Sequence, residues 1–408
     1  MRFNGDSGTI WILSEVFYPE ETGTAHYITG IGEHLALRRK VSVLCVQPSY
    51  SRAGILCPRT ESHAGMEIYR CGAFLPGSGS LLARAIKVAS VTLSLMLNAM
   101  FRVRRGDKLL AVTNPPTLPV IAGIMSALRG VPYSLVVHDI YPDILAACGV
   151  IRRESLIFKM MLAVNRWVLR RASSIVTIGN DMVEHLARAR ATGTRQGICM
   201  VPLWSDCTEI IPSRPSDNPL RKALGLEGKF VVLYAGNMGR PHGIEWLAEL
   251  ILSLARNDRI HFVFIGSGTK RRIIEDVART GTGNVTVLDP RPRGAQNEFL
   301  NAYDLAILTL AEGMQGLAVP SRIYNIMAAG KPSLAMVSSS SETARVVQDE
   351  GIGWIVTPGA VGEASAVIQA AINAPELLAQ MGARARQAAV RKYASQVILN
   401  RLEAILAE

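Results

Sequence analysis

The chain has 408 residues and a formal net charge of +11 at pH 7, with 19% charged and 49% apolar residues. This length exceeds what one ordinary hydrophobic core supports, so two domains of about 200 residues each are expected. The six cysteines form no Cys-x-x-Cys pair, which disfavours a zinc site and indicates reduced thiols in a cytosolic chain. The first ten residues lack the apolar core of a signal peptide, so export is not expected.

The basic surplus lies in the first half of the chain. Residues 1–204 hold 23 Lys and Arg against 13 Asp and Glu, whereas the remaining residues hold 21 and 20. This asymmetry predicts a polyanionic partner on the N-terminal side, either nucleic acid or an anionic membrane surface. A solvated basic surface without a partner is the alternative. Nucleic acid is disfavoured because the basic residues are not interleaved with stacking aromatics in a known motif.

Apolar strands alternate with amphipathic helices through the first half. The predicted elements are strand 9–13, helix 25–38, and strands 41–46, 108–112, 133–137 and 174–178, with a linker at 200–204. The first βαβ unit lacks a Gly-x-Gly-x-x-Gly fingerprint, so a nicotinamide cofactor is not expected. Because ligands bind at the carboxyl ends of parallel strands, His138 and Asp139 are predicted to lie in the active site. A purely structural histidine is an equal alternative at this position.

Residues 80–105 give the strongest membrane signal. The uncharged run 88–101 has 14 residues, fewer than the roughly 18 to 20 that a spanning helix needs, so it is not expected to cross a bilayer. Basic residues flank this run, and a predicted helix at 155–171 adds basic and aromatic groups suited to a membrane interface. A core helix that buries most of its apolar face, with basic ends still near lipid, is the favoured alternative. The residues assigned to the membrane and acceptor side are Arg84, Lys87, Arg102, Arg104, Arg105 and Trp167.

The second half repeats the alternating architecture. Its predicted elements are strands 230–234, 261–265, 285–288 and 305–310 and helices 244–255, 270–278 and 296–302. Glycine-containing loops follow the first two strands and predict a second crevice wall, where Arg240 and His242 are the available cations.

The stretch 311–332 is predicted to bind an anion. A glycine-containing loop follows a buried strand and leads to Pro320 and Ser321, where a helix is expected to begin. A helix N-terminus offers free N–H groups and partial positive charge, so a phosphate is expected near residues 316–322. Arg322 is favoured as a contact to that phosphate over an exposed first-turn side chain.

Six motifs occur in order over nearly the whole chain: FYPEETGTAHYITGIGEHLA, TNPP, VVHDIYPD, YAGNMGRPHG, FVFIGSG and VPSRIYNIMAAGKP. With this ordered set of motifs, the chain resembles the retaining GT-B glycosyltransferases of family 4. Within that family it most resembles the bacterial colanic-acid and O-antigen enzymes. The resemblance implies an α/β fold of two Rossmann-like, doubly wound parallel-sheet domains that face each other across a cleft. The implied domains are an acceptor and membrane-side domain at 1–204, a donor domain at 205–385 and a C-terminal helix at 386–408 that crosses back.

The resemblance also implies the chemistry. A nucleotide-sugar, UDP- or GDP-linked, is the donor substrate, and neither a cofactor nor a metal ion is required. The acceptor is a polyprenyl diphosphate-linked saccharide, met by a cytoplasmic protein peripheral on the anionic inner face of the plasma membrane.

Carried over to this sequence, the family motifs assign roles to individual residues. His138 contacts the transferred sugar, Asp139 orients His138, and Arg240 and Arg322 stabilise the charge that develops on the β-phosphate. The residues assigned to donor binding are Gly23, Thr24, Gly236, Asn237, His242, Gly266, Glu312, Gly316, Leu317, Pro320, Ser321 and Asn325.

The sequence departs from the family pattern at four positions. The family's phosphate-binding arginine and lysine read Asn237 and His242, and its two glutamates read Leu317 and Asn325. Asparagine still accepts a ribose hydrogen bond, but leucine cannot replace a carboxylate, for which Glu312 is the nearest substitute in sequence. Two alternatives therefore stand beside the transferase: a catalytically weak or non-catalytic partner protein, and a GT-B sugar-nucleotide epimerase.

Overall fold

The computed structural model describes residues 8–50, 54–74, 81–189 and 197–407, except for the side chains of residues 81, 84 and 407. It divides the chain into two compact units. The first unit contains Met1–Val201 together with Leu399–Glu408, and the second contains Pro202–Ile398.

The first unit is built on an eight-stranded sheet in the order β3-β4-β2-β1-β5-β6-β7-β8. Its central strands are apolar runs buried on both faces, as parallel strands covered by helices must be. The strands are β1 Ile10–Leu13, β2 Val41–Val46, β3 Thr60–His63, β4 Met66–Cys71, β5 Lys108–Val112, β6 Tyr133–Val137, β7 Ser174–Thr177 and β8 Ile198–Met200. The helices are α1 Gly23–Ala36, α2 Leu81–Arg102, α3 Leu118–Arg129, α4 Asp143–Ala147, α5 Leu156–Arg171 and α6 Asn180–Ala189.

The strand order reverses between β1 and β5. β1 pairs with β2 on one side and with β5 on the other, so the chain winds outward in both directions from this pair. In an open α/β sheet the loops after such a pair diverge and leave a crevice at the carboxyl ends of the strands. The loops after β1, β5 and β6 are therefore the ones that form a site in the first unit.

Helix α2 is more exposed than the sequence predicts. It buries Val91, Leu95 and Ala99, packing against β2, β4 and α3. The prediction that most of its apolar face is buried is wrong, because the opposite stripe is exposed: Leu82, Ile86, Leu93, Leu97, Met100 and Phe101. By length and composition the 18-residue stretch Ala85–Arg102 could cross a membrane, although the uncharged run within it is shorter.

The second unit holds a six-stranded parallel sheet in the order β11-β10-β9-β12-β13-β14. The strands are β9 Phe230–Ala235, β10 Ile260–Ile265, β11 Val285–Leu288, β12 Leu305–Thr309, β13 Ser333–Met336 and β14 Gly353–Val356. The helices are α7 Pro219–Ala223, α8 Ile244–Ser253, α9 Arg271–Arg279, α10 Gln296–Asn301, α11 Arg322–Ala328, α12 Glu342–Glu350, α13 Val361–Ile372, α14 Pro375–Lys392 and α15 Ser395–Ala407. Here the order reverses between β9 and β12, so the crevice of this unit lies at the loops after those two strands.

The C-terminal segment differs from the predicted single helix at 386–408. Residue 386 lies inside α14, where the guanidinium of Arg386 donates to the carbonyls of Ile210 and Ala328 at 2.8 Å each. These bonds keep α14 in the second unit. Only the end of α15 groups with the first unit, where Glu403 accepts hydrogen bonds from His34 on α1, at 3.0 Å, and from Arg38 just after that helix.

Candidate functional site

Two glycine loops of the second unit run against each other at the carboxyl ends of β9 and β10. The N–H of Gly236 donates to Ile265 O at 2.8 Å, and the N–H of Met238 donates to Ser267 O at 2.7 Å. A Cβ at Gly266 would lie 2.0 Å from Gly236 O, and φ is +147° there, so the approach requires glycine. The two loops thus form a floor of closely packed backbone beside β12.

Arg322 lies over this floor. Its Cζ is 4.5 Å from the ring centroid of Tyr234, a cation–π contact, and a Cβ at Gly236 would come within 2.7 Å of the same Cζ. Nη1 of Arg322 is buried and has no hydrogen-bond partner within the described part of the chain. A buried guanidinium donor without an acceptor is costly, and a phosphate oxygen satisfies it with a charge-assisted bond. The arrangement therefore favours an anion next to Gly236.

His242 lies next to Arg322 but does not supply a second cation. Its Nδ1 is 3.3 Å from the carbonyl oxygen of Thr309. A carbonyl only accepts, so Nδ1 carries the proton and Nε2 is left as an acceptor. Burial, reinforced by the charge of Arg322, lowers the pKa of His242 to about 3. The expectation that His242 acts as a cation is therefore wrong at neutral pH.

The helix that begins after Pro320 is a weaker anion site than its sequence indicates. It has seven residues, and Ser321 at its N-cap makes no side-chain capping bond. The N–H groups of Ile323 and Tyr324 already donate to Pro320 O and Ser321 O, at 3.3 Å each. The predicted site thus rests on the Arg322 side chain rather than on helical backbone donors.

The remaining donor-binding predictions separate into exposed and buried residues. Asn237, Arg240 and Glu312 are exposed on the loops, whereas Gly316 is buried. Leu317 is 2% exposed, so its side chain belongs to the apolar core and does not face solvent.

Asn325 holds the start of the second unit in place. Its Oδ1 accepts the N–H of Asp206 at 3.1 Å, and its Nδ2 donates to Gln296 Oε1 at 2.9 Å and to Asp206 Oδ2 at 3.4 Å. Arg293 adds an ion pair to Asp206 at 2.6 Å. Both ends of the Asn325 amide are thus occupied, and a ribose hydroxyl would have to compete with these bonds.

In the first unit, His138 directly follows β6 and is 8% exposed. Both ring nitrogens are buried without a hydrogen-bond partner among the described residues. Burial lowers the pKa of His138 to about 4, so the ring is neutral at pH 7. The N–H groups of His138 and Asp139 both donate to Thr113 Oγ1, at 3.2 and 3.3 Å, which fixes the backbone here to the loop after β5.

Asp139 does not orient His138 through a hydrogen bond. Both ring nitrogens of His138 lack a hydrogen-bond partner among the described residues, so neither is bonded to the Asp139 carboxylate. Burial raises the pKa of Asp139 to about 6. Its carboxylate lines a pocket of the first unit whose walls are Thr113, Pro116, Pro119, Leu135, Val137, Ile140, Tyr141, Asn165, Leu169 and Leu186.

Gly23 and Thr24 form the first turn of α1. The helix begins at Gly23, with the Thr22 hydroxyl accepting the N–H of Ala25 at 3.3 Å. Gly23 is exposed, and a Cβ there would meet nothing within 4 Å. This turn is therefore open to a ligand beside the loop that follows β1.

The residues assigned to the membrane side are not all directed outward. Lys87 pairs with Glu15 at 2.9 Å, and the ring of Trp167 packs on Gly123 of α3, where a Cβ would be 2.6 Å away. Arg102 lies 4.1 Å from the ring centroid of Tyr69. Arg104 and Arg105 are exposed, and the side chain of Arg84 lies outside the described residues.

Sequence reasoning missed Glu15, which is 5% exposed and stands just after β1. A carboxylate directly after a buried strand is the signal that could have marked it.

Together, two parallel-sheet α/β units with ligand-competent loops at their strand-order reversals define the GT-B class of fold. HepE from Anabaena, solved in complex with UDP-glucose, superposes with a TM-score of 0.72 at 17% identity over 98% of this chain and 99% of that chain. Residues 22–204 match the model of the glycosyl transferase 4-like domain, and residues 229–374 match that of the glycosyl transferases group 1.

Two relatives extend the comparison. The probable glycosyltransferase WbjE of Pseudomonas aeruginosa is 33% identical over 262 residues, which are 63% of this chain and 64% of that protein. The putative colanic acid biosynthesis glycosyl transferase WcaI of Escherichia coli (strain K12) is 24% identical over 377 residues, 88% of this chain and 91% of that protein. The chain belongs to the GT-B glycosyltransferases of the group 1 and 4-like families.

Proposed function

We propose that the protein transfers a sugar from a UDP-sugar to a lipid-linked saccharide in bacterial surface polysaccharide synthesis. The observation that carries the donor assignment is the unpartnered, buried Nη1 of Arg322 above the Gly236 backbone. A diphosphate supplies the acceptor that this guanidinium lacks. The UDP-glucose complex of HepE supports a UDP-sugar donor, and the names of WbjE and WcaI support sugar transfer in polysaccharide synthesis.

In the proposed reaction the bond between the sugar C1 and the β-phosphate oxygen breaks, and the acceptor oxygen bonds to C1. The acceptor hydroxyl proton passes to the departing phosphate, and UDP leaves. Arg322, together with the exposed Arg240 on the segment after β9, stabilises the charge that develops on the β-phosphate. His138, which is neutral, contacts the transferred sugar.

Retention of configuration and independence from metal ions complete the proposal, on the family resemblance. In the proposed reaction the positive charge near the donor comes from arginine.

The enzyme is proposed to work on the inner face of the plasma membrane. Helix α2 exposes Leu93, Leu97 and Phe101 near the exposed Arg104 and Arg105, a combination that binds anionic lipid surfaces. α5 exposes Leu156 and more basic residues.

A vesicle assay tests the membrane contact. Co-sedimentation with vesicles of phosphatidylglycerol and phosphatidylcholine is expected to fall at least about tenfold when Leu97 and Phe101 are both changed to serine. Leu252→Ser, at an exposed leucine of α8 in the second unit, is the matched control and should bind as wild type does. Equal binding by the double variant would remove α2 from the membrane contact.

A transfer assay tests the reaction. Purified protein is incubated with a panel of radiolabelled UDP-hexoses and a bacterial lipid extract, and label in the lipid phase is counted. We expect label from at least one donor, in EDTA, and NMR of the product should show the anomeric configuration of that donor. Binding of UDP without any transfer would favour the non-catalytic alternative, which the buried Leu317 and the occupied Asn325 also suggest.

A further inference from the structure

We propose that Glu15, Tyr50 and Lys87 form the binding site for a neutral sugar of the acceptor, an assignment that rests on the proposed function. Glu15 Oε1 is 2.9 Å from Lys87 Nζ and accepts a 3.3 Å hydrogen bond from the Tyr50 hydroxyl. Lys87 Nζ also donates to Ser49 Oγ at 3.2 Å and lies 4.1 Å from the Tyr50 ring centroid. We call these three residues the Glu15 cluster.

The Glu15 cluster is held in place by the loops after β1 and β2. The carbonyl of Glu15 accepts the N–H of Val46 at 3.2 Å. Oε2 of Glu20 accepts the N–H groups of Ser49 and Tyr50, at 2.9 and 3.1 Å. A sugar would therefore meet a preformed site, whose ordering cost is already met by the fold.

The cluster lies on the functional edge of the first sheet, close to the loop that follows β6. The pKa of Tyr141 is raised by burial and then by the neighbouring Asp139, with smaller effects from Tyr50 and Glu15. Tyr141 also lines the pocket that contains Asp139, so the charge of the Glu15 cluster is felt at that pocket.

The chemistry of the cluster fits sugar hydroxyls. Every hydrogen bond and ion pair found for the Glu15 side chain in the described part of the chain ends on Oε1, which leaves Oε2 to accept from a hydroxyl. Tyr50 is 51% exposed, so its ring offers an apolar face to the C–H groups of a pyranose. A carboxylate, an ammonium and an aromatic face are the polar and apolar groups that orient a ligand in a small site.

The charges of the Glu15 cluster disfavour an anionic ligand. Lys87 Nζ lies 2.9 Å from the Glu15 carboxylate, and the pKa of Lys87 is raised because this bond and ion pair outweigh the lowering effect of burial. The positive charge of Lys87 is therefore already matched by a carboxylate. A phosphate or a uronic acid would find no cation in the Glu15 cluster without a carboxylate partner, whereas a neutral sugar does not need one.

Saturation-transfer NMR tests the assignment, with UDP at saturation and methyl glycosides of neutral hexoses and N-acetylhexosamines as probes. Methyl glucuronide is the anionic comparison. We expect at least one neutral glycoside to show transfer with wild type, and Glu15→Gln to weaken its binding about tenfold or more, as loss of a charged hydrogen bond implies. Glu227→Gln, at an exposed glutamate of the second unit, is the matched control and should bind as wild type does.

Tyr50→Ala removes only a half-exposed ring and provides a second variant if Glu15→Gln unfolds; it should also lose the glycoside signal. The assignment is overturned if no neutral glycoside shows transfer with wild type, if the glucuronide binds as well as the neutral sugars, or if both variants bind unchanged. The affinity for UDP, measured in parallel, should stay within about twofold in every variant. Failure of wild type to bind UDP would instead refute the proposed donor site.

Discussion

His138 should remain uncharged in the folded protein down to unusually low pH. Burial without a partner for either ring nitrogen lowers its pKa from 6.5 to about 4. The unfolded chain binds a proton at this residue near pH 6.5, so it holds more protons than the folded state between pH 6.5 and pH 4. Stability therefore falls as pH falls through this window, by about 3 kcal/mol at full effect and about 1 kcal/mol between pH 7 and pH 5.5.

Two measurements check this prediction. In protein labelled at histidine Cε1, the NMR signal that disappears in His138→Asn should not shift between pH 7.5 and pH 5, whereas the same label in the urea-unfolded chain titrates near pH 6.5. Urea unfolding of His138→Asn should show a pH dependence shallower than wild type by about 1 kcal/mol over pH 7 to 5.5. A His138 signal with its midpoint at pH 6 or above would refute the burial argument.

Three further predictions concern the second unit. Gly236→Ala should weaken UDP binding by about tenfold or more, because the new Cβ would lie 2.7 Å from Arg322 and φ at this position is +143°. Gly294→Ala, whose Cβ would have no neighbour within 4 Å among the described residues, is the control and should bind UDP as wild type does. Calorimetric titration of UDP measures both affinities. Asn325→Leu should lower the free energy of urea unfolding by about 2–4 kcal/mol, because it leaves the Asp206 N–H and the Gln296 side chain without their hydrogen bonds. An equal loss of stability in Asn373→Leu, at an exposed asparagine, would show that the Asn325 hydrogen bonds do not stabilise the fold. Leu317→Glu should lower the melting temperature and not raise transfer, because it buries a charge in the core; increased transfer would show that the site accepts the family's carboxylate.

Strand positions were the most predictable part of the fold. β2, β5, β6 and β11 have the bounds that their largely apolar runs predict. The first three are central strands with both faces mostly buried, and such strands have mainly apolar sequences. The β3–β4 hairpin was not predicted. Its turn has Ala64 at φ +48° and Gly65 at φ +83°. An Asn-Gly pair, which favours these backbone conformations, would have predicted the hairpin, whereas Ala-Gly does not.

The candidate site was predictable in outline but not in its partners. Arg322 and Gly236 were chosen from their loops, and their mutual approach follows from the pairing of β9 with β12. The neutrality of His242 was not predictable, because it depends on the burial of its ring and on the charge of Arg322, which is distant in sequence. Likewise Lys87 was assigned to the membrane and acceptor side from its place beside an apolar run, and only the fold shows that it pairs with Glu15.

The central claim is that Arg322 above the Gly236 backbone holds the diphosphate of the donor. Calorimetric titration of UDP into the full-length protein in EDTA tests it most directly, with Arg322→Met beside Arg345→Met, an exposed arginine of α12, as the matched control. We expect wild type and the control to bind UDP, and Arg322→Met to bind it about 30-fold more weakly, a loss of about 2 kcal/mol in binding free energy. Binding of UDP that is unchanged in Arg322→Met, or absent in wild type, would contradict it.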